Sequence, residues 1–177
     1  MNAALRLSWY KFKHHYMDFV KVLLGIVAFE GLILYIQDKG FLKDFETTRM
    51  TLFLLLFSTS LLIVVQNSIY ISKERSVLNR DFFSGLSRSA FAIASMGIHA
   101  FFAVLETIVF ILSYSIFSKY FDKEFPDAGH IFSSYRWEVG ITVLLVFLAS
   151  HFIALFISAL VGKSEITSVI LAVVVGI

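Results

Sequence analysis

Four ionisable residues stand inside long apolar runs and are where this chain could do chemistry: Glu30, His99, Glu106 and His151. A charge at mid-bilayer costs about 2.5–3.5 kcal/mol on insertion scales, so such groups turn to a bundle interior and often mark a transport path. His99 and Glu106 are seven residues apart, two helical turns on one face, with Ser95 and Phe102 or Ala103 along the same strip. That spacing suits a proton relay or the polar lining of a substrate cavity. It suits equally a carboxylate that is protonated or paired with a neighbouring helix. Glu30 either joins this interior set or lies near the outer boundary, where a carboxylate is cheap.

Other chemistries lack their residues. With no cysteine there is no disulfide, thiolate nucleophile or cysteine-ligated metal. His14 and His15 are adjacent, point in different directions on a helix and have no third ligand nearby, so no metal site is expected. Gly162-Lys163-Ser164 has the tail of a phosphate-binding loop, but that loop needs a glycine five positions before its Gly-Lys pair. Position 157 is Ile, and the segment leaves an apolar run rather than a strand. No nucleophile–base pair of workable spacing appears, so the chain is not expected to be an enzyme, and it is expected to hold no cofactor of its own.

The elements that must position these residues follow from composition. Hydrophobic residues make up 58% of 177 positions and charged residues 16%, with 20 Phe and a mean hydropathy of +0.82. A soluble domain is nearer half apolar and a quarter charged. A net charge of +2 gives no reason to expect a nucleic-acid partner. A helix needs about 20 apolar residues to cross the bilayer. Runs at about 19–36, 50–71, 90–117 and 139–161 qualify, and a fifth begins near 166 but has only 12 residues before position 177. The sequence therefore predicts an all-α integral membrane protein, a polytopic helical bundle in a lipid bilayer. It would comprise one transmembrane domain over 1–177, with an N-terminal amphipathic interfacial helix, four full spans and a truncated fifth. The truncation predicts a chain that continues past Ile177. The basic N-terminus, with no small-residue cleavage site behind it, predicts a permanent first span rather than a signal peptide.

Lysine and arginine placement sets the orientation. Arg6, Lys11, Lys13, Lys21, Lys73, Arg75, Arg80, Arg88 and Lys163 fall on one side, against Lys39, Lys43, Arg49, Lys119, Lys123 and Arg136 on the other. Nine against six puts the N-terminus in the cytoplasm, with 119–138 as an extracytoplasmic loop. Trp9, Tyr10 and Tyr16 would lie at the inner interface and Tyr120, Tyr135 and Trp137 at the outer one.

Three further features bear on function. Leu5, Trp9, Phe12 and Tyr16 recur at helical spacing opposite Arg6, Lys11, Lys13 and His14, which predicts an interfacial helix over 1–16. Residues 72–89 exceed what a plain loop needs and mix Glu74, Arg75, Arg80 and Asp81 with Val77, Leu78, Phe82 and Phe83. Exposed aromatics among charges suggest a docking surface, the apolar anchors giving affinity and the charges register. Ser150, Ala154, Ser158 and Gly162 form a four-residue ladder of small side chains, which suits either a dimer or gate interface or packing within one bundle.

At residues 67–91 the chain resembles the permeases of type-2 ABC exporters, including the G-subfamily lipid and drug exporters. The matching residues are Asn67-Ser68, Glu74-Arg75, Arg80, Gly85-Leu86 and Ser89-Ala90-Phe91. The resemblance implies that 72–89 is a coupling helix carrying nucleotide-driven motion to the spans, and that 1–16 is the family's connecting helix. It implies a nucleotide-binding subunit or domain that holds ATP and Mg, a second permease copy or homologue, and a path lined by the first, second and fifth spans. Glu74, Arg75, Arg80, Phe82, Phe83, Gly85 and Leu86 would couple to the ATPase, with Glu74 and Arg75 in salt-bridged contacts. Family members have six spans and a folded outer segment before the sixth; this chain stops in its fifth. Two rivals stand beside this expectation: a proton-coupled secondary transporter using Glu30, His99 and Glu106, and a membrane scaffold or assembly protein docking through 72–89.

Overall fold

Apolar residues occupy nearly every face of the long helices in this computed structural model, which describes residue 10 and residues 16–37, 45–121, 134–161 and 164–176. The side chains of Phe45, Glu46, Lys73 and Glu74 lie outside that description. The described helices are α1 (Tyr16–Ile36), α2 (Phe45–Asn67), α3 (Tyr70–Phe83), α4 (Arg88–Tyr120), α5 (Tyr135–Leu160) and α6 (Glu165–Gly176). Four stretches are long and apolar enough to cross a membrane: Tyr16–Ile36, Thr47–Ser72, Arg88–Tyr120 and Tyr135–Leu160. At 1.5 Å per residue the 33 residues of α4 reach roughly 50 Å, beyond the ~30 Å hydrocarbon layer.

The long helices close a ring in which α1 packs on α2 and α4, and α5 packs on α2 and α4 from the far side. The shorter α6 lies chiefly against α2. The core runs along the ring axis through Ile26, Leu34, Leu55, Ile63, Phe110, Tyr114 and Phe147. Its packing needs close backbone approach at Gly25, where a Cβ would lie 2.5 Å from a Leu62 methyl. Burial is sorted inside out. Thr51, Thr59, His99, Glu106, Ser150 and His151 are buried, whereas Leu24, Phe53, Ile93, Ile116, Leu145 and Phe156 are exposed. Hydrocarbon solvates the apolar exterior, so polar groups withdraw inward and must find partners there. Many bond back to their own helix, as Thr59 Oγ1 does to Leu55 O (2.6 Å) and Ser150 Oγ to Val146 O (2.8 Å).

Several boundaries differ from the sequence expectation. The second membrane-length stretch, Thr47–Ser72, covers the expected 50–71, but its helix is interrupted after Asn67, where Asn67 Nδ2 donates to Ile63 O and Ser68 Oγ to Val65 O at a turn before α3 begins. The predicted coupling segment 72–89 is α3 plus a short turn: it begins within a helix that starts at Tyr70, and its last two residues, Arg88 and Ser89, already belong to α4. The predicted outer loop 119–138 is shortened at both ends, Lys119 and Tyr120 closing α4 and residues 135–138 opening α5. The middle of that loop lies outside the described residues, as does most of the predicted interfacial helix 1–16.

Candidate coupling site

The site is built where α3 meets the ends of α5 and α6. A helix exposes its first N–H groups and last C=O groups, and each needs a partner. Ile69 sits at the N-cap of α3 and has no side chain able to supply one. Ser158, from α5, does so instead: its Oγ accepts from Ile71 N (2.8 Å) and Ser72 N (3.2 Å). Arg75 returns the favour to α5, donating from Nη1 to Val161 O (2.9 Å) and Ala159 O (3.4 Å). A cation at a helix C-terminus also meets the negative end of its dipole. Ser168 of α6 donates to Ser72 Oγ (3.2 Å), and both side chains are buried. Three helices are thereby joined through the first turns of α3.

The far end of α3 is closed by its own backbone. Gly85 N bonds to Phe82 O and Leu86 N to Asp81 O, a Schellman turn, and Gly85 holds φ +104°, a conformation costly for any side chain. Ser87 then caps α4, its Oγ accepting from Ala90 N. The predicted Gly-Leu step thus lies in the four residues that join α3 to α4.

The two faces of α3 differ. Leu78 is buried at 2% exposure, and Phe82 packs edge-on against Phe91 at 5.9 Å, with Arg88 over its ring. Phe83 points away and is 95% exposed, on a face shared with Ser76, Val77 and Arg80. The Phe82–Phe83 pair is therefore split, one ring holding α3 to the bundle and one free of it. Arg75 bonds to backbone carbonyls at the end of α5, and the Glu74 side chain, its partner in the expected salt-bridged contacts, lies outside the description.

The intramembrane ionisable residues form two contacts. His151 on α5 joins His99 (Nδ1 to Nδ1, 3.0 Å) and Glu106 (Nε2 to Oε2, 2.8 Å), both on α4, and all three are buried. Hydrogen bonds of this chain run either from His99 toward the carboxylate or, with Glu106 protonated, in the reverse order. His99 Nε2 and Glu106 Oε1, its two ends, have no hydrogen-bond partner among the described residues. Tyr70, the first residue of α3, packs edge-on against His99 at 4.9 Å, so the trio touches α3. Glu30 stands apart, fully buried within the bundle, and accepts from Ser113 Oγ across α1 and α4.

The small-residue ladder is consumed within the chain. Ser150, Ala154 and Ser158 are buried in this bundle, which leaves none of these three on an outer face for a second copy. Gly162 lies outside the described residues. Sequence reasoning missed Ser72, Ser158 and Ser168 as a joint; the signal was a serine at each helix end, which alone does not say which ends meet. Among the described residues no group of three His, Asp or Glu is arranged to hold a metal.

A family model described as ABC-2 type transporter matches residues 6–177, nearly the whole chain. No curated protein and no solved structure matches it. Four membrane-length helices, a polar interior and this match converge: the chain belongs to the ABC-2 type transporter family and is an integral membrane permease component.

Proposed function

We infer that this permease is half of an ATP-driven exporter of the G-subfamily kind, with α3 as the helix that receives motion from a nucleotide-binding subunit. The observation that supports it is the division of α3 into two faces. Its first turns are bonded to α5 and α6, while Arg80 and the 95% exposed Phe83 face outward beyond the apolar bundle. A free aromatic beside an arginine is the kind of surface on which a partner gains affinity. Force applied at Phe83 would travel along a short rigid helix to the ends of two spans.

In this reading α3 and the N-terminus face the cytoplasm, in accord with the excess of Lys and Arg on that side. Residues 1–16 form the connecting helix and the segment between α4 and α5 lies outside. ATP and Mg bind the partner. Substrate passes between this bundle and a second copy or homologue, along α1, α2 and α6. The buried trio of His99, Glu106 and His151 holds α4 to α5 beneath the coupling helix, and a proton relay is not needed.

The test is the assembled transporter in proteoliposomes. Arg80→Glu and Phe83→Ala should each leave insertion intact and lower ATP-driven transport, the charge reversal by about tenfold or more, since like charges at an interface cost several kcal/mol. Normal coupling in both variants would remove α3 from this role.

A further inference from the structure

We propose that the cleft beneath α3 is a binding site for one anionic phospholipid. The cleft lies between α3, α4 and α5, measures about 470 Å³, and has Arg75, Asn79 and Arg88 among its lining residues. Apart from Ser95 its other lining residues are apolar, Leu78, Phe91 and Leu155 among them, and none is acidic. That volume falls within the range that holds a small amphiphile.

Three observations point to the occupant. First, the cleft opens sideways: Met96 and Phe156 line it and are 47% and 64% exposed on the apolar perimeter, so its entrance faces hydrocarbon. Second, charge and depth are arranged as in a lipid. Arg88 opens α4, whereas Ser95 lies seven residues, or roughly 10 Å, further along the helix. Two guanidiniums suit a phosphate at the headgroup level, and the apolar walls below suit an acyl chain. Third, Ser95 is one of the residues lining the cleft, is buried at 2% exposure, and its Oγ has no hydrogen-bond partner among the described residues. A buried hydroxyl without a partner is costly. An ester carbonyl below a phosphate headgroup would accept its proton.

Arg75 also holds the end of α5 and Phe82 also anchors α3, so a lipid here would wedge directly under that helix. Any effect on ATP turnover rests on the coupling reading; the binding itself does not.

The test is native mass spectrometry of the delipidated protein titrated with dioleoyl phosphatidylglycerol, dioleoyl phosphatidylcholine or glycerol 3-phosphate. One phosphatidylglycerol per chain should bind saturably and survive activation that strips phosphatidylcholine. Arg88→Gln, and Ala92→Trp placed at the cleft's exposed wall, should each weaken it about tenfold, the worth of one charge-assisted contact. Equal retention of the two lipids would mean annular contact only and overturn the site. Competition by glycerol 3-phosphate at the same concentration would assign the cleft to a soluble anion, and full affinity in both variants would place the lipid elsewhere.

Discussion

His151 is held at both ends of its ring, each nitrogen meeting a side chain of α4. Removing it leaves Glu106 and His99 buried with nothing to bond, and an unsatisfied buried polar group costs about 1–3 kcal/mol, more if charged. His151→Leu should therefore lower the unfolding temperature of the detergent-solubilised protein substantially. The triple change His99→Leu, Glu106→Leu and His151→Leu should recover part of that loss, since a polar cluster replaced whole by apolar residues is often tolerated. Thermal unfolding of the two variants checks this; a triple variant less stable than the single would mean that the trio holds more than its own polar groups. The four ionisable positions were legible in the sequence, since any such residue in an apolar run must turn inward. Their grouping was not. His99 and Glu106 share a helix face, but the residue that completes the chain comes from 45 positions beyond Glu106.

At the scale of the element, α3 behaves as a lever bonded at one end. Ser158 accepts two of its first N–H groups and Arg75 donates to the last carbonyls of α5, so each helix supplies the other's cap. Ser158→Ala removes the acceptor and no other heavy atom, at a cost near the ~1 kcal/mol of an N-cap loss. Proteolysis or hydrogen exchange at residues 69–75 should report the loosening, while exchange in the middle of α5 stays as it was. Protection unchanged at 69–75 would show that the apolar contacts of α3 alone hold it. The length and mixed composition of this segment set it apart from a plain loop, and Gly85 marked the end of its helix, because few other residues accept its φ. What the sequence did not show of Arg75 was its bond to the end of α5: carbonyls left open at a helix end take donors from another element, and nothing local marks which donor reaches them.

Over the whole molecule the solvent on the outside is hydrocarbon, and mid-helix positions should respond accordingly. Leu145 is 62% exposed and Phe147, two residues on, is fully buried in α5. Leu145→Ala should change stability little, whereas Leu145→Lys should cost about 2.5–3.5 kcal/mol of insertion free energy. Phe147→Ala should destabilise by about 3–5 kcal/mol through the cavity it leaves. Insertion measured by glycosylation mapping, alongside unfolding in detergent, separates the two effects; a harmless Leu145→Lys would mean that this face of α5 meets water.

What the sequence determined by itself was the class of molecule, the number of membrane-length helices and the polar residues that had to be inside. These follow from local quantities: run length, composition and the cost of a charge in hydrocarbon. It determined little of which helix ends would meet, since serines at 72, 158 and 168 carry no local mark of one another. Only the tertiary structure decided that the small-residue ladder on α5 is spent inside one bundle, and that Phe82 faces inward while Phe83 does not. Those outcomes depend on how the helices rotate about their axes. Rotation is set by the sum of packing over all neighbours, which an apolar run of nearly uniform composition does not record.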